Sequence, residues 1–334
     1  MVNNMSHIPE APGIQDRYSR VIDYLRVSVT DRCNLRCTYC MPPEGVTLLD
    51  HEDILSFEEI VAVVTAGAEL GISKVRITGG EPLVRPGLCD LVRALSHVDG
   101  LDDLSLTTNG TLLKYYAAEL KAAGLKRVNI SLDSLRPDRF LSITRQGHLE
   151  DTLSGIEAAQ EAGLMPIKIN TVVMRGINDD EVKDIAVLAR MRGWSIRFVE
   201  RMPLSGNEGG YVPSSEVLGH LSPLGTLDPQ LPAFHNGPAR CYSLKGTGSV
   251  GFISPMSEPF CSTCNRLRLT STGMLRPCLL SDAGTVDIKT PLREGADKAI
   301  VQDFLLEAVS CKPGSHSLKS NGSRIGTAMS QIGG

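Results

Sequence analysis

Six of the nine cysteines in this 334-residue chain fall into two trios. Cys33, Cys37 and Cys40 are spaced C-x3-C-x2-C, and Cys261, Cys264 and Cys278 are spaced C-x2-C-x13-C. Each trio offers three thiolates with no obvious fourth ligand nearby. Structural zinc is closed by four protein ligands, whereas a cubane iron–sulfur cluster held by three thiolates keeps one iron open to another molecule. The first trio therefore points to a cluster, with zinc as its competitor. For the second trio the C-x2-C knuckle fits zinc and iron–sulfur equally well on its own. Its neighbours favour a reactive site: Arg266 and Arg268 follow, and strand alternation throws both to one face. Two guanidinium forks side by side suit a polyphosphate, the alternative being a solvated strand face. Cys89, Cys241 and Cys311 stand alone and read as small apolar residues.

These residues need a scaffold, and β-branched runs provide one. Candidate strands run over 24–29, 74–77, 103–106, 127–132, 167–173 and 195–199. Between them lie helical patterns at 56–70, 112–123, 151–162 and 179–191, stopped by Gly71, Gly124, Gly163 and Gly193. Ser56 and Glu59 are spaced as a capping box at the first of these helices. Such alternation implies a parallel sheet with right-handed crossovers. The residues with chemistry, including Asp31 to Cys40, Thr78-Gly79-Gly80-Glu81-Pro82, Thr107 to Gly110, Ser131 to Ser134 and Glu200 to Met202, gather at strand ends, as on the rim of a barrel. The expected fold is α/β, an incomplete TIM-type barrel of about six βα units with a C-terminal α+β extension. The expected organisation is an N-terminal extension (1–20), the barrel core (21–203), an irregular Gly-, Pro- and Ser-rich connection (204–239) and a C-terminal region (240–334). In that region 240–244 and 249–253 form a hairpin and 266–270 another strand. Gly246 to Gly251 matches G-x-G-x-x-G, but a strand follows rather than a helix, so it reads as the hairpin turn.

A net charge of −4 argues against a general nucleic-acid binder, which needs a dominant basic surface. No apolar run suggests a secretory leader or a membrane span, so a cytoplasmic protein is expected, and there cysteines rarely form a disulfide framework.

The first trio, with the aromatic Tyr39 before its last cysteine, resembles the radical S-adenosylmethionine superfamily. Thr78 to Pro82 resembles the superfamily motif that receives the cofactor's amino group. Together with Leu25 to Cys33, Arg76 to Pro82, the second trio and the terminal Gly333-Gly334, nearly the whole chain from Asp16 onward resembles the GTP 3′,8-cyclase family of molybdenum cofactor synthesis. The resemblance implies two 4Fe–4S clusters. One, on Cys33, Cys37 and Cys40, cleaves S-adenosylmethionine to a 5′-deoxyadenosyl radical; the other, on Cys261, Cys264 and Cys278, faces the guanine. It implies S-adenosylmethionine contacts at Tyr39, Gly80, Ser131 and Met202. GTP contacts are implied at Arg26, Arg76, Thr107, Lys168, Arg266, Leu267 and Arg268. The reaction so implied removes the ribose 3′ hydrogen and joins that carbon to guanine C8.

The tail from Gly314 carries His316, Lys319 and Arg324 but no acid, and by composition alone it reads as disordered. The resemblance implies instead that it threads into the active site, with Gly333 and Gly334 in a catalytic role. It further implies a reductant such as flavodoxin or ferredoxin, delivery of product to the cyclic pyranopterin monophosphate synthase, no nucleic-acid or membrane partner, and is compatible with a homodimer. Two alternatives stay open: a peptide-modifying radical enzyme with an auxiliary cluster, and a zinc-stabilised binding module.

Overall fold

Alternation of apolar and polar residues along each strand decides which face meets the helices and which faces inward. The computed structural model describes residues 13–203, 210–230, 237–244, 248–316 and 329–333. A small antiparallel pair, β1 (Ile14–Gln15) and β2 (Val21–Ile22), comes first. Six parallel strands follow: β3 (Tyr24–Ser28), β4 (Lys74–Thr78), β5 (Asp103–Thr108), β6 (Arg127–Ser131), β7 (Lys168–Val173) and β8 (Ser195–Glu200). Later strands are β9 (Asp228–Pro229), β10 (Arg240–Ser243), β11 (Ser249–Ile253), β12 (Arg266–Leu269), β13 (Met274–Arg276) and β14 (Val286–Asp287). The first six helices, α1 (Phe57–Glu69), α2 (Leu88–Ser96), α3 (Leu113–Ala122), α4 (Pro137–Thr144), α5 (Leu149–Glu161) and α6 (Val182–Arg192), fill the crossovers. After β8 come α7 (Ser214–Leu221), α8 (Lys289–Arg293), α9 (Lys298–Ser310) and α10 (Met329–Ile332).

All six expected βα strands are present, and the four expected helices end where Gly71, Gly124, Gly163 and Gly193 turn left-handed. Ser56 and Glu59 form the reciprocal capping box that starts α1. Residues 179–181 are a 3-10 turn leading into α6 rather than its first α-turn.

The main sheet has the order β14-β13-β12-β3-β4-β5-β6-β7-β8-β11-β10-β9. β12 joins β3 in parallel, and β11 joins β8 in parallel, so the C-terminal region extends the barrel wall at both edges. Antiparallel strands finish each edge and the sheet does not close on itself, which makes an incomplete barrel. Residues 204–239 are not irregular throughout. Ser214, Val217 and Leu221 recur on one buried face and Pro213 precedes the first turn, so α7 forms there, followed by β9. The N-terminal stretch is not wholly detached either, since Asp16 and Arg20 are buried. Residues 245–247 of the G-x-G-x-x-G match lie outside the described residues; Gly248 onward is strand or its approach.

Outward-facing Leu25, Val27, Val75, Ile77, Leu106, Ile130 and Ile169 pack beneath the helices in one apolar core. The inward face is polar. The register sets Arg268 beside Arg26, Arg26 beside Arg76, Arg76 beside Ser105 and Ser105 beside Arg127, a nearly continuous cationic row across the barrel. No helix among the described residues is long and apolar enough to cross a membrane.

Candidate active site

Backbone pairing locks the two strand-end loops of the first trio together. Gly80 N–H donates to Thr30 O at 2.7 Å and Glu81 N–H to Arg32 O at 2.8 Å. Only glycine permits this approach, since a Cβ at Gly80 would lie 2.2 Å from Arg32 O. Glu81 is buried, and its carboxyl accepts from the Thr108 hydroxyl (2.7 Å), Asn109 N–H (2.7 Å) and Leu83 N–H (3.1 Å). Burial raises it to about 7 against those bonds. Tyr39 donates its hydroxyl to Asp133 at 2.7 Å, and Asp133 also accepts from Val172 N–H at 2.8 Å.

All three thiols of the loop are raised chiefly by burial: Cys33 to about 11, Cys40 to about 12 and Cys37 well above its ordinary value. Thiols so placed ionise only against a cationic partner such as iron. Structural zinc is closed by four protein ligands, whereas a cluster is held by three thiolates with one iron left open. The donor set and its glycine cradle therefore fit a cluster.

In the second trio, Cys264 is shifted the opposite way. Burial raises the Cys264 thiol, but Arg266 and Lys312 and the hydrogen bonds from Arg266 outweigh it and pull it to about 6. Arg266 Nη2 reaches Cys264 Sγ at 3.6 Å and stacks over Phe260 at 4.9 Å.

One cavity joins the trios, with all six cysteines in its wall. Its cations are stripped of water. Burial lowers Arg268 to about 9, with Arg266 the next cause, and lowers Arg197 to about 10, with Arg76 next. Arg26 is held well below its ordinary value by burial, then by Arg268 and Arg76. Asp103 pairs with Arg127, while among the described residues no acid bridges Arg76, Arg197 or Arg268. Thr107 Oγ1, Asn170 Oδ1 and Arg197 Nε line the cavity, buried and without hydrogen-bond partners among the described residues. Such a site calls for a polyanion with polar edges.

Residues 27–189 match the Radical SAM superfamily, and residues 194–318 match Molybdenum Cofactor Synthesis C. The GTP 3′,8-cyclase of Pelotomaculum thermopropionicum is 52% identical over 327 residues, covering 96% of this chain and 100% of that protein. That of Moorella thermoacetica is 52% identical over 325 residues with the same coverage. This chain belongs to the GTP 3′,8-cyclase family. Like other members of the radical SAM superfamily, these cyclases are enzymes that use S-adenosylmethionine and 4Fe–4S clusters. Solved structures with the same fold include Streptococcus suis SuiB bound to precursor peptide SuiA, with a TM-score of 0.62 at 13% identity, covering 91% of this chain and 68% of that one. Native anSMEcpe with bound AdoMet gives 0.57 at 17% identity, covering 87% and 81%.

Most residues expected to serve the family's chemistry meet in the cavity: Tyr39, Gly80 and Ser131 in its wall with the first trio, Met202 packed against Leu280, and Arg26, Arg76, Thr107, Arg266 and Arg268 along the row of strands. Lys168 is buried just outside the lining, among Arg197, Arg127 and Arg76. The Leu267 side chain points away into the apolar core, so only its backbone faces the strand edge. Gly333 lies against Ser28 and Thr78, and its carbonyl accepts from Arg268 at 2.8 Å. Gly334, like Lys319 and Arg324, lies outside the described residues.

Sequence reasoning missed Arg197, Asn170, Asp133 and a lining role for His316. A signal existed for the first: an arginine in the middle of a buried parallel strand faces inward. His316 Nε2–H donates to Pro255 O at 3.0 Å, leaving Nδ1 buried without a partner among the described residues; nothing in the sequence placed it there.

Proposed function

We propose that this chain converts GTP to (8S)-3′,8-cyclo-7,8-dihydroguanosine 5′-triphosphate in molybdenum cofactor synthesis, starting with removal of the ribose 3′ hydrogen by a 5′-deoxyadenosyl radical. One observation carries it: two cysteine trios share a cavity with the buried guanidinium groups of Arg76, Arg197 and Arg268, which have no carboxylate partner among the described residues. Cys33, Cys37 and Cys40 would hold the cluster that, when bound, supplies reductive cleavage of S-adenosylmethionine. Tyr39, Gly80, Ser131 and Met202 would seat that molecule, Asp133 fixing the Tyr39 ring through its hydroxyl. Arg26, Arg76, Arg266 and Arg268, with Lys168, Thr107 and the Leu267 backbone, would grip GTP, the guanidinium forks matching phosphate oxygens in pairs. Cys261, Cys264 and Cys278 would present the second cluster to the guanine.

Fixing both molecules in one cavity would make the hydrogen transfer effectively intramolecular, and excluding water would protect the carbon radical. Gly333 and Gly334 would complete the wall beside the reacting atoms. The barrel core 21–203 would carry radical generation and 240–334 substrate orientation. We place the protein in the cytoplasm, as a monomer or homodimer, with electrons from a flavodoxin or ferredoxin and its product passed to cyclic pyranopterin monophosphate synthase.

Anaerobic turnover with S-adenosylmethionine, dithionite and GTP deuterated at C3′ tests the reading. Deuterium in the 5′-deoxyadenosine is the expected result. Unlabelled 5′-deoxyadenosine would remove GTP as the hydrogen donor, and none from cluster-loaded protein would remove the radical chemistry.

A further inference from the structure

The second trio is organised by a cation from outside the knuckle. Beyond α9 the chain turns and drives Lys312 inward until it is 2% exposed, rare for a lysine. Its ammonium donates to Arg266 O at 2.6 Å and to Pro277 O at 2.8 Å. Arg266 stands two residues after Cys264, and Pro277 immediately precedes Cys278. The β12–β13 ladder pairs only Arg268 with Arg276 and Leu269 with Leu275. Extending that register would bring Arg266 opposite Cys278, yet the pairing stops short of the cysteines. Lys312 joins the two segments where the ladder ends.

The third cysteine segment is held differently. Arg20 donates to Cys261 O at 2.6 Å and to Pro313 O at 2.8 Å, and Asp16 neutralises it from 2.6 Å. Lys312 has no acid within salt-bridge distance among the described residues, and the two carbonyls it holds belong to the segments of Cys264 and Cys278. A buried ammonium without a carboxylate needs a countercharge, and thiolates can provide it.

We propose that Lys312 is a positioning residue of the second trio: its ammonium replaces the missing ladder pairs, sets the separation of Cys264 from Cys278, and offsets the charge of their thiolates. The inference rests on the reading of that trio as a cluster site. Adding charge to a cluster on reduction is easier beside a fixed cation, so reduction potential reports the role directly.

The test uses the C33A/C37A/C40A chain, which leaves one trio, reconstituted anaerobically with iron and sulfide, alone and with K312M or K312R. Iron and sulfide content and an EPR-monitored redox titration are read. K312M is expected to shift the reduction equilibrium about tenfold towards the oxidised cluster, about 59 mV for one electron, and K312R to recover most of it. An unchanged potential in loaded K312M, or a K312R potential displaced as far as that of K312M, overturns the proposal. If K312M takes up no iron at the second trio, the same substitution in the full chain decides: a first trio that still loads supports the proposal, whereas loss at both trios makes Lys312 a general core residue and overturns it. A C33A/C37A/C40A chain that takes up no iron before Lys312 is changed sinks the cluster reading itself, and this inference with it.

Discussion

Lys168 is a lysine whose charge is disfavoured by its surroundings. Burial, then Arg197, Arg127 and Arg76, depress it to about 6 from an ordinary 10.5. A depressed lysine contributes fully to folding stability only above 10.5 and loses that contribution as pH falls through 6. A triphosphate entering among these cations reverses the field and raises the lysine again. Between pH 6 and the bound value, nucleotide binding should therefore take up close to one proton, and affinity should fall as pH rises. Calorimetry at pH 7.5 in buffers of different ionisation enthalpy checks the uptake, and K168M should abolish it. Arg197 belongs to the same cluster but touches the cavity, with Nε unpartnered among the described residues. Losing one charge-assisted contact costs about 1.5–3 kcal/mol, so R197M should weaken GTP binding by about 10- to 100-fold and leave S-adenosylmethionine binding unchanged in equilibrium dialysis.

At the scale of elements, strand ends fix the loops that carry chemistry. Glu200, at the end of β8, accepts from Ser214 N–H at 2.9 Å, Met256 N–H at 3.0 Å, and both the N–H (2.9 Å) and hydroxyl of Ser257. It thereby ties α7 to the segment leading into Cys261. In E200Q an amide would oppose one set of donors, with an expected loss of about 2–4 kcal/mol, read as a lower melting temperature, and with iron lost from the second trio before the first. G80A should act at the other end: its Cβ has no room beside Arg32 O, so first-trio loading should fail while second-trio iron is retained. The six βα units were legible because buried parallel strands and capped helices write a local pattern, and the glycine stops require left-handed backbone. The edges were not legible. β12 beside β3 and β11 beside β8 are pairings across most of the chain, which no periodicity encodes, and α7 hid in a stretch whose Gly and Pro content masks three buried positions. The cysteine trios and Arg266–Arg268 could be read from spacing alone, whereas Asp133 meets Tyr39, and His316 enters the cavity, only through tertiary contact.

Across the whole molecule, the last described segment connects the two halves of the site. α10 brings Ser330 N–H to Cys40 Sγ, and Met329 packs against Leu280, the same residue that Cys278 packs against, so one short helix reaches from the first trio to the apolar cluster beside the second. Gly333 then turns with φ 75° and offers its carbonyl to Arg268, with room for no side chain: a Cβ would lie 3.0 Å from both Ser28 and Thr78. Removing residues 333–334 withdraws that acceptor from Arg268, yet takes no contact from the Cys33–Cys40 loop. The expected outcome is a separation of half-reactions: S-adenosylmethionine binds with wild-type affinity and 5′-deoxyadenosine still forms, while cyclised nucleotide falls at least 100-fold and deuterium transfer from C3′ falls with it. G333V, strained at a left-handed position and crowded against β3 and β4, should follow the truncation. The ratio of 5′-deoxyadenosine to cyclic product, measured by mass spectrometry, is the deciding quantity; a truncated chain that keeps the wild-type ratio and rate would mean that Arg268 and the barrel wall position the nucleotide without the tail.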